Sequence, residues 1–174
     1  MMHILVAEDN KVNQKLLTRL LQRLSCTVSI AHNGQEALDY LSASPATHHR
    51  PDIILMDAAM PVMDGIRATS ILRTSLPFAV DPKIPTTPII AMTPSNLRIP
   101  GQTEEWLKRG FDDVLPKPFR LKTLRQMLLY WSQRRILPRK GTLSAPGTGN
   151  MYGFLLRKAL EREWDRVYPL LRYL

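Results

Sequence analysis

The chain has 174 residues, 44% of them hydrophobic, which is enough to bury a core without structural metal, and a lone Cys26 leaves no internal disulfide. No apolar run approaches the roughly 18 residues of a membrane span, residues 1–6 are too short for a secretory signal, and four scattered histidines offer no zinc spacing. A soluble protein of a reducing compartment is expected, cytoplasmic with the nucleus open to it, whose +9 charge sits in its tail: residues 1–119 hold 12 Lys/Arg and 12 Asp/Glu, residues 120–174 hold 12 and 3.

In chain order, short apolar runs alternate with amphipathic stretches of helix length, the pattern of a parallel sheet wrapped by helices. A strand is predicted over residues 3–7. A helix follows over 12–24, where Leu16, Leu17, Leu20, Leu21 and Leu24 oppose Lys15, Arg19, Gln22 and Arg23. Next come a strand at 27–31, a helix at 34–42, a strand at 52–57 and a helix at 65–74. A strand at 88–92, a helix at 103–109, a strand at 113–116 and a helix at 121–134 complete the series. Connections 43–51 and 75–87 exceed what such a unit needs and are expected as surface insertions.

The expected fold is therefore α/β, a doubly wound five-stranded parallel sheet over residues 1–137. Residues 138–150, rich in Pro, Gly, Ser and Thr, read as a flexible linker. Residues 151–174 read as a helical tail, with Leu156, Leu160, Trp164, Val167 and Leu171 on one side. That stripe can pack on its own domain or pair with a second copy in a homodimer.

In an open parallel sheet, functional groups gather at the carboxyl ends of the strands. Here those ends carry Glu8 and Asp9, Asp57, Thr93 and Lys117. Three carboxylates brought together repel, so something cationic must join them, and an oxygen-only set suits Mg²⁺. Lys117 can balance a phosphate oxygen as a point charge and the Thr93 hydroxyl can donate to another. Phosphoryl transfer needs an in-line nucleophile, and Asp57 has the central position for it. Taken singly, the acidic pair reads as a helix cap, Thr93 as a turn residue and Lys117 as a solvated charge. Their joint placement at successive strand ends favours the phosphoryl site.

The blocks ILVAEDNKVNQKLL, ILMDAAMPVMDG, PIIAMT and DDVLPKPF resemble the signature blocks of response-regulator receiver domains, over roughly residues 2–134. The resemblance implies a flavodoxin-like (βα)5 fold and Asp57 as phosphoacceptor. It also implies Glu8, Asp9, Asp57 and the Ala59 carbonyl around Mg²⁺, and a cis peptide before Pro118. By the same resemblance the partner is a histidine kinase or a histidine phosphotransfer protein, and the EDN-x-x-NQ start is similar to receivers of hybrid kinases and eukaryotic phosphorelays. The position of the family's switch aromatic is Val114 here, and Pro94 follows Thr93, so readout through an aromatic rotamer is not expected in its usual form.

Three alternatives are weighed beside this reading. A phosphohydrolase making an aspartyl-phosphate would carry D-x-D, but this chain has Asp57-Ala58-Ala59 and lacks the acid/base, so it is expected to be a signalling phosphoacceptor and not a turnover enzyme. A receiver-like docking module with impaired switching is consistent with Val114 and Pro94. A nucleic-acid-binding output through the basic tail finds no helix-turn-helix or zinc-finger pattern to support it.

Overall fold

Each predicted strand forms, and all five, β1 Met2–Ala7, β2 Cys26–Ala31, β3 Ile53–Asp57, β4 Ile89–Pro94 and β5 Asp113–Lys117, pair in parallel in one sheet of order β2-β1-β3-β4-β5. The structure is a computed structural model and describes residues 1–94 and 102–134. The expected linker at 138–150 and tail at 151–174 lie outside the described residues. The elements run β1 Met2–Ala7, α1 Lys11–Arg23, β2 Cys26–Ala31, α2 Gly34–Ser42, β3 Ile53–Asp57, α3 Gly65–Thr74, β4 Ile89–Pro94, α4 Gln102–Lys108, β5 Asp113–Lys117 and α5 Leu121–Arg134. Among the described residues no helix is long and apolar enough to cross a membrane.

The near-continuous apolar strands are explained by burial on both faces. Every residue of β3 is buried, and β1 is buried from Ile4 onward. One face packs Leu17 and Leu21 of α1 and Leu124 and Leu128 of α5 on Ile4, Val6, Leu55, Ile90 and Met92. The other packs α2 and α3 on Leu5, Ile54, Met56, Ile89 and Ala91. Each wholly buried Leu or Ile contributes about 1.5–3 kcal/mol, so the two leucines of α1 anchor that helix. The chain steps outward from β1 to β2 and returns on the other side as β3. That reversal opens a crevice at the carboxyl ends of β1 and β3, where a ligand site is expected in such sheets.

Two boundaries differ from expectation with a consequence. Strand β4 continues through Thr93 to Pro94, in register with Pro116 and Lys117 of β5. Proline is tolerated there because it is the last residue of the strand. The second difference concerns the connection 75–87, which is no simple surface insertion. It folds into two 3₁₀ turns, Phe78–Val80 and Ile84–Thr86, that sink Phe78 and Ile84 into the core beside α2 and α3. Arg50 of the other insertion pairs with Asp81 at 3.0 Å, and Lys83 reaches Asp52 at 3.2 Å and the Arg50 carbonyl at 2.8 Å. The two long connections thus clasp each other.

Candidate functional site

Glu8 and Asp9 directly follow β1, and Glu8 is fully buried while Asp9 is exposed. The helix cap that an acidic pair might have supplied comes from Asn10, whose side chain accepts from the Val12 N–H at 2.8 Å and more loosely from Asn13 at 3.3 Å. The pair is therefore left for other work. Glu8 Oε1 accepts from the Asn10 N–H at 3.2 Å and from Asn13 Nδ2 at 3.1 Å. Buried Gln14 donates from Nε2 to the Glu8 carbonyl at 2.5 Å, with His32 Nδ1 2.8 Å from the same nitrogen. The sequence reading missed these supports, although Asn13 and Gln14 were visible as the NQ of the EDN-x-x-NQ start.

Asp57 ends β3 and is 5% exposed. Its Oδ1 accepts the Ala59 N–H at 3.2 Å, and its Oδ2 lies 2.5 Å from Lys117 Nζ. Lys117 ends β5 and also lies 2.8 Å from Glu8 Oε2, which among the described residues has no well-angled hydrogen bond and is met by this ion pair alone. Lys117–Pro118 is a cis peptide. Thr93, near the end of β4, is 3% exposed, and β4 lies between the strands that bear Asp57 and Lys117. Gly65 opens α3 so close behind β3 that a Cβ there would collide with the Asp57 carbonyl oxygen, which explains the glycine. Val62, in the same β3–α3 loop, is held at φ 67 and is 84% exposed, a left-handed conformation uncommon for a β-branched residue.

The structure thus brings Glu8, Asp9 and Asp57 together, with one carboxylate oxygen of each within 4.8 Å of the others. Three carboxylates against the single Lys117 ammonium leave a charge of −2 if all ionise. Burial pushes the Asp57 carboxyl above the usual carboxylate range and Glu8 adds to that, while Lys117 and the Ala59 N–H pull the other way without prevailing. Burial also works against the Lys117 ammonium, yet Asp57 and Glu8 together hold its pKa above the ordinary lysine value. A hard, all-oxygen, under-neutralised cluster fits a divalent cation of the Mg²⁺ type. Ala59, two residues beyond Asp57 and bonded through its N–H to the Asp57 carboxylate, is exposed.

Comparison with known proteins agrees with this architecture. The family model described as the response regulator receiver domain matches residues 4–129. The chain is 36% identical over 129 residues to the hybrid signal transduction protein dokA of Dictyostelium discoideum, which covers 74% of this chain and 7% of that protein. It is 35% identical over 134 residues to the transcription factor SKN7 of Saccharomyces cerevisiae, covering 77% of this chain and 19% of that one. The chain therefore spans only a small part of these curated relatives. Among solved structures, the receiver domain of a Pseudomonas aeruginosa sensor histidine kinase is similar at 35% identity and a TM-score of 0.59, over 75% of this chain and 96% of that one. That structure holds a magnesium ion coordinated in its active-site cleft. A receiver domain of a histidine kinase from Syntrophus aciditrophicus matches at 26% identity and a TM-score of 0.63, over 84% of this chain and all of that one. With the sheet order, the acidic pocket and the family match in agreement, this chain belongs to the response regulator receiver domains of two-component and phosphorelay signalling.

Proposed function

We propose that Asp57 accepts a phosphoryl group from a phosphohistidine and that this modification switches partner binding. The observation that carries the reading is the setting of Asp57: a buried carboxylate in a three-carboxylate cluster, held by Lys117 at 2.5 Å. An Asp57 oxygen forms the new P–O bond as the P–N bond of the donor breaks, and the imidazole nitrogen keeps the electron pair. Glu8, Asp9, Asp57 and the Ala59 carbonyl are the groups to hold Mg²⁺, which when bound neutralises phosphoryl oxygens. Lys117 supplies a fixed positive charge for a further oxygen, and Thr93 donates its hydroxyl to another. The donor is a histidine kinase or a histidine phosphotransfer protein in the cytoplasm or nucleus. The domain assists its own phosphorylation and loses the group slowly, because the residue two positions beyond Asp57 is Ala59 and supplies no acid/base.

A second reading, a docking module whose switching is impaired, is favoured by one observation. Val114 is half-buried against the core on the α2–α3 side and has no ring to swing. Under the main reading the phosphoryl signal passes instead through Thr93 and the backbone that follows it. The stripe at 151–174 serves, on its sequence alone, as a candidate for homodimer pairing.

Exposure to acetyl phosphate with and without Mg²⁺, read by intact mass, tests the proposal. Wild type gains one phosphoryl group only with Mg²⁺, and Asp57→Asn gains none. An adduct on Asp57→Asn, or none on wild type, overturns it. Loss of the adduct without any change in binding to a phosphotransfer partner favours the docking module.

A further inference from the structure

Helix α1 repeats a cation every fourth residue: Lys11, Lys15, Arg19 and Arg23, all exposed. Residues four apart lie along one face, so the four form a slowly turning stripe of like charge. The helix contains no Asp or Glu, and among the described residues none of the four is paired with a carboxylate. Like charges at this spacing destabilise a helix, so an anionic surface laid against the stripe stabilises it.

Beside the stripe runs an open groove of about 390 Å³, lined by Gln14, Lys15, Thr18, Arg19, Gln22 and Ile30. Its far side is β2, an edge strand that among the described residues is paired on one side only. An edge strand presents a row of backbone donors and acceptors to solvent and can take on another strand. Ile30 and Val28 of β2 are half-buried against the α1 side of the core and expose apolar surface there.

We infer that an acidic polypeptide segment docks here in extended form, pairing its backbone with the free edge of β2 and setting alternate carboxylates against Lys15 and Arg19. The stems of those acidic side chains lie over Ile30. Polypeptide is favoured over single-stranded nucleic acid because neither α1 nor β2 carries an aromatic residue on which bases could stack. It is favoured over a membrane surface because Leu17 and Leu21, the apolar side of α1, are already buried in the domain's own core. Gln14 at one end of the groove holds the Glu8 carbonyl, but Lys15 and Arg19, which meet the segment's carboxylates, form no ion pair with Glu8, Asp9 or Asp57, so this docking does not require a modified Asp57.

The test titrates the full chain with a ten-residue peptide of alternating glutamate and threonine, read by backbone amide shifts and hydrogen exchange. Expected are shifts in residues 15–22 and 26–31 and slowed exchange in β2. The Lys15→Glu/Arg19→Glu pair weakens binding at these residues at least fivefold. If that charge reversal disturbs folding, Lys15→Gln/Arg19→Gln is read instead, with at least a twofold loss expected. A peptide alternating glutamate with proline, which cannot pair along a strand, loses the β2 protection. Shifts confined to residues outside α1 and β2, unchanged affinity in the charge variants, or equal binding of the proline peptide would each overturn the inference. So would tighter binding at these residues by an oligothymidylate or by phosphatidylserine vesicles.

Discussion

Lys117 Nζ sits 2.5 Å from Asp57 Oδ2, bridging residues 60 apart in sequence, and among the described residues it is the one ammonium in contact with a cluster of three carboxylates. Removing a fixed charge aimed at developing phosphoryl charge costs on the order of 10²–10³ in rate. Lys117→Met is accordingly expected to slow phosphorylation of Asp57 by acetyl phosphate by roughly 10²-fold. The time course of the mass adduct checks this, and a rate within threefold of wild type removes Lys117 from the mechanism.

Asp9 is the exposed member of the cluster, while Glu8 and Asp57 are buried. Loss of its charge therefore affects cation binding more than folding. For Asp9→Asn, Mg²⁺ affinity is expected to fall at least tenfold, about 1.4 kcal/mol, with the metal-free unfolding midpoint nearly unchanged. Calorimetric Mg²⁺ titration and thermal melts measure the two effects separately.

Gln14 is the only side chain found donating to the Glu8 carbonyl among the described residues, at 2.5 Å and in a buried position. Gln14→Leu keeps the bulk but strands that carbonyl, at a cost of about 1–3 kcal/mol. Because the same carbonyl fixes the turn into Asp9, weaker Mg²⁺ binding should accompany the loss. Denaturant unfolding that shows no change would mean water replaces the amide at no cost.

Arg73 of α3 ties α3 to the segments on either side of β4. It donates to the carbonyls of Gly110 (3.0 Å), Ile84 (3.3 Å), Pro85 (3.1 Å) and Thr87 (3.2 Å), and pairs with Asp112 at 2.6 Å. Asp112 in turn accepts the Ile89 N–H at 2.8 Å at the start of β4. Arg73→Met breaks a partly buried pair and several carbonyl contacts together, for an expected loss of about 3–5 kcal/mol. Urea unfolding with an unchanged m-value provides the check.

Asp81 gives a pH signature distinct from the acidic cluster. Burial works against its ionisation, but the N–H groups of Lys83 (2.8 Å) and Ile84 (3.0 Å) and the Arg50 guanidinium together hold its carboxyl below the usual range. A depressed folded pKa contributes stability that is present above the unfolded value, about 3.9, and is lost as pH falls through the lower folded value. Asp81→Ala should therefore cost about 1–3 kcal/mol at pH 7 and progressively less below about pH 4. Parallel unfolding curves for wild type and variant across that range decide it; a constant gap contradicts the linkage.

Read alone, the sequence determined the alternation of strands and helices, because buried parallel strands must be apolar throughout and α1 must show leucines on one side. It also placed Glu8, Asp9, Asp57, Thr93 and Lys117 at strand ends, and the structure gathers the three carboxylates among them into one acidic pocket. What only the tertiary structure decided is how those groups meet. The Lys117 contact to both Glu8 and Asp57, and the Gln14 support of Glu8, depend on the sheet order and on the seat of α1, which no local pattern encodes. The connection 75–87 shows the same limit. Its prolines and polar residues read as surface, but Phe78 and Ile84 reach the core once Arg50, Lys83 and Arg73 satisfy the charges and carbonyls around them. Burial of that kind is a property of partners distant in sequence, and it exists only when the chain is folded.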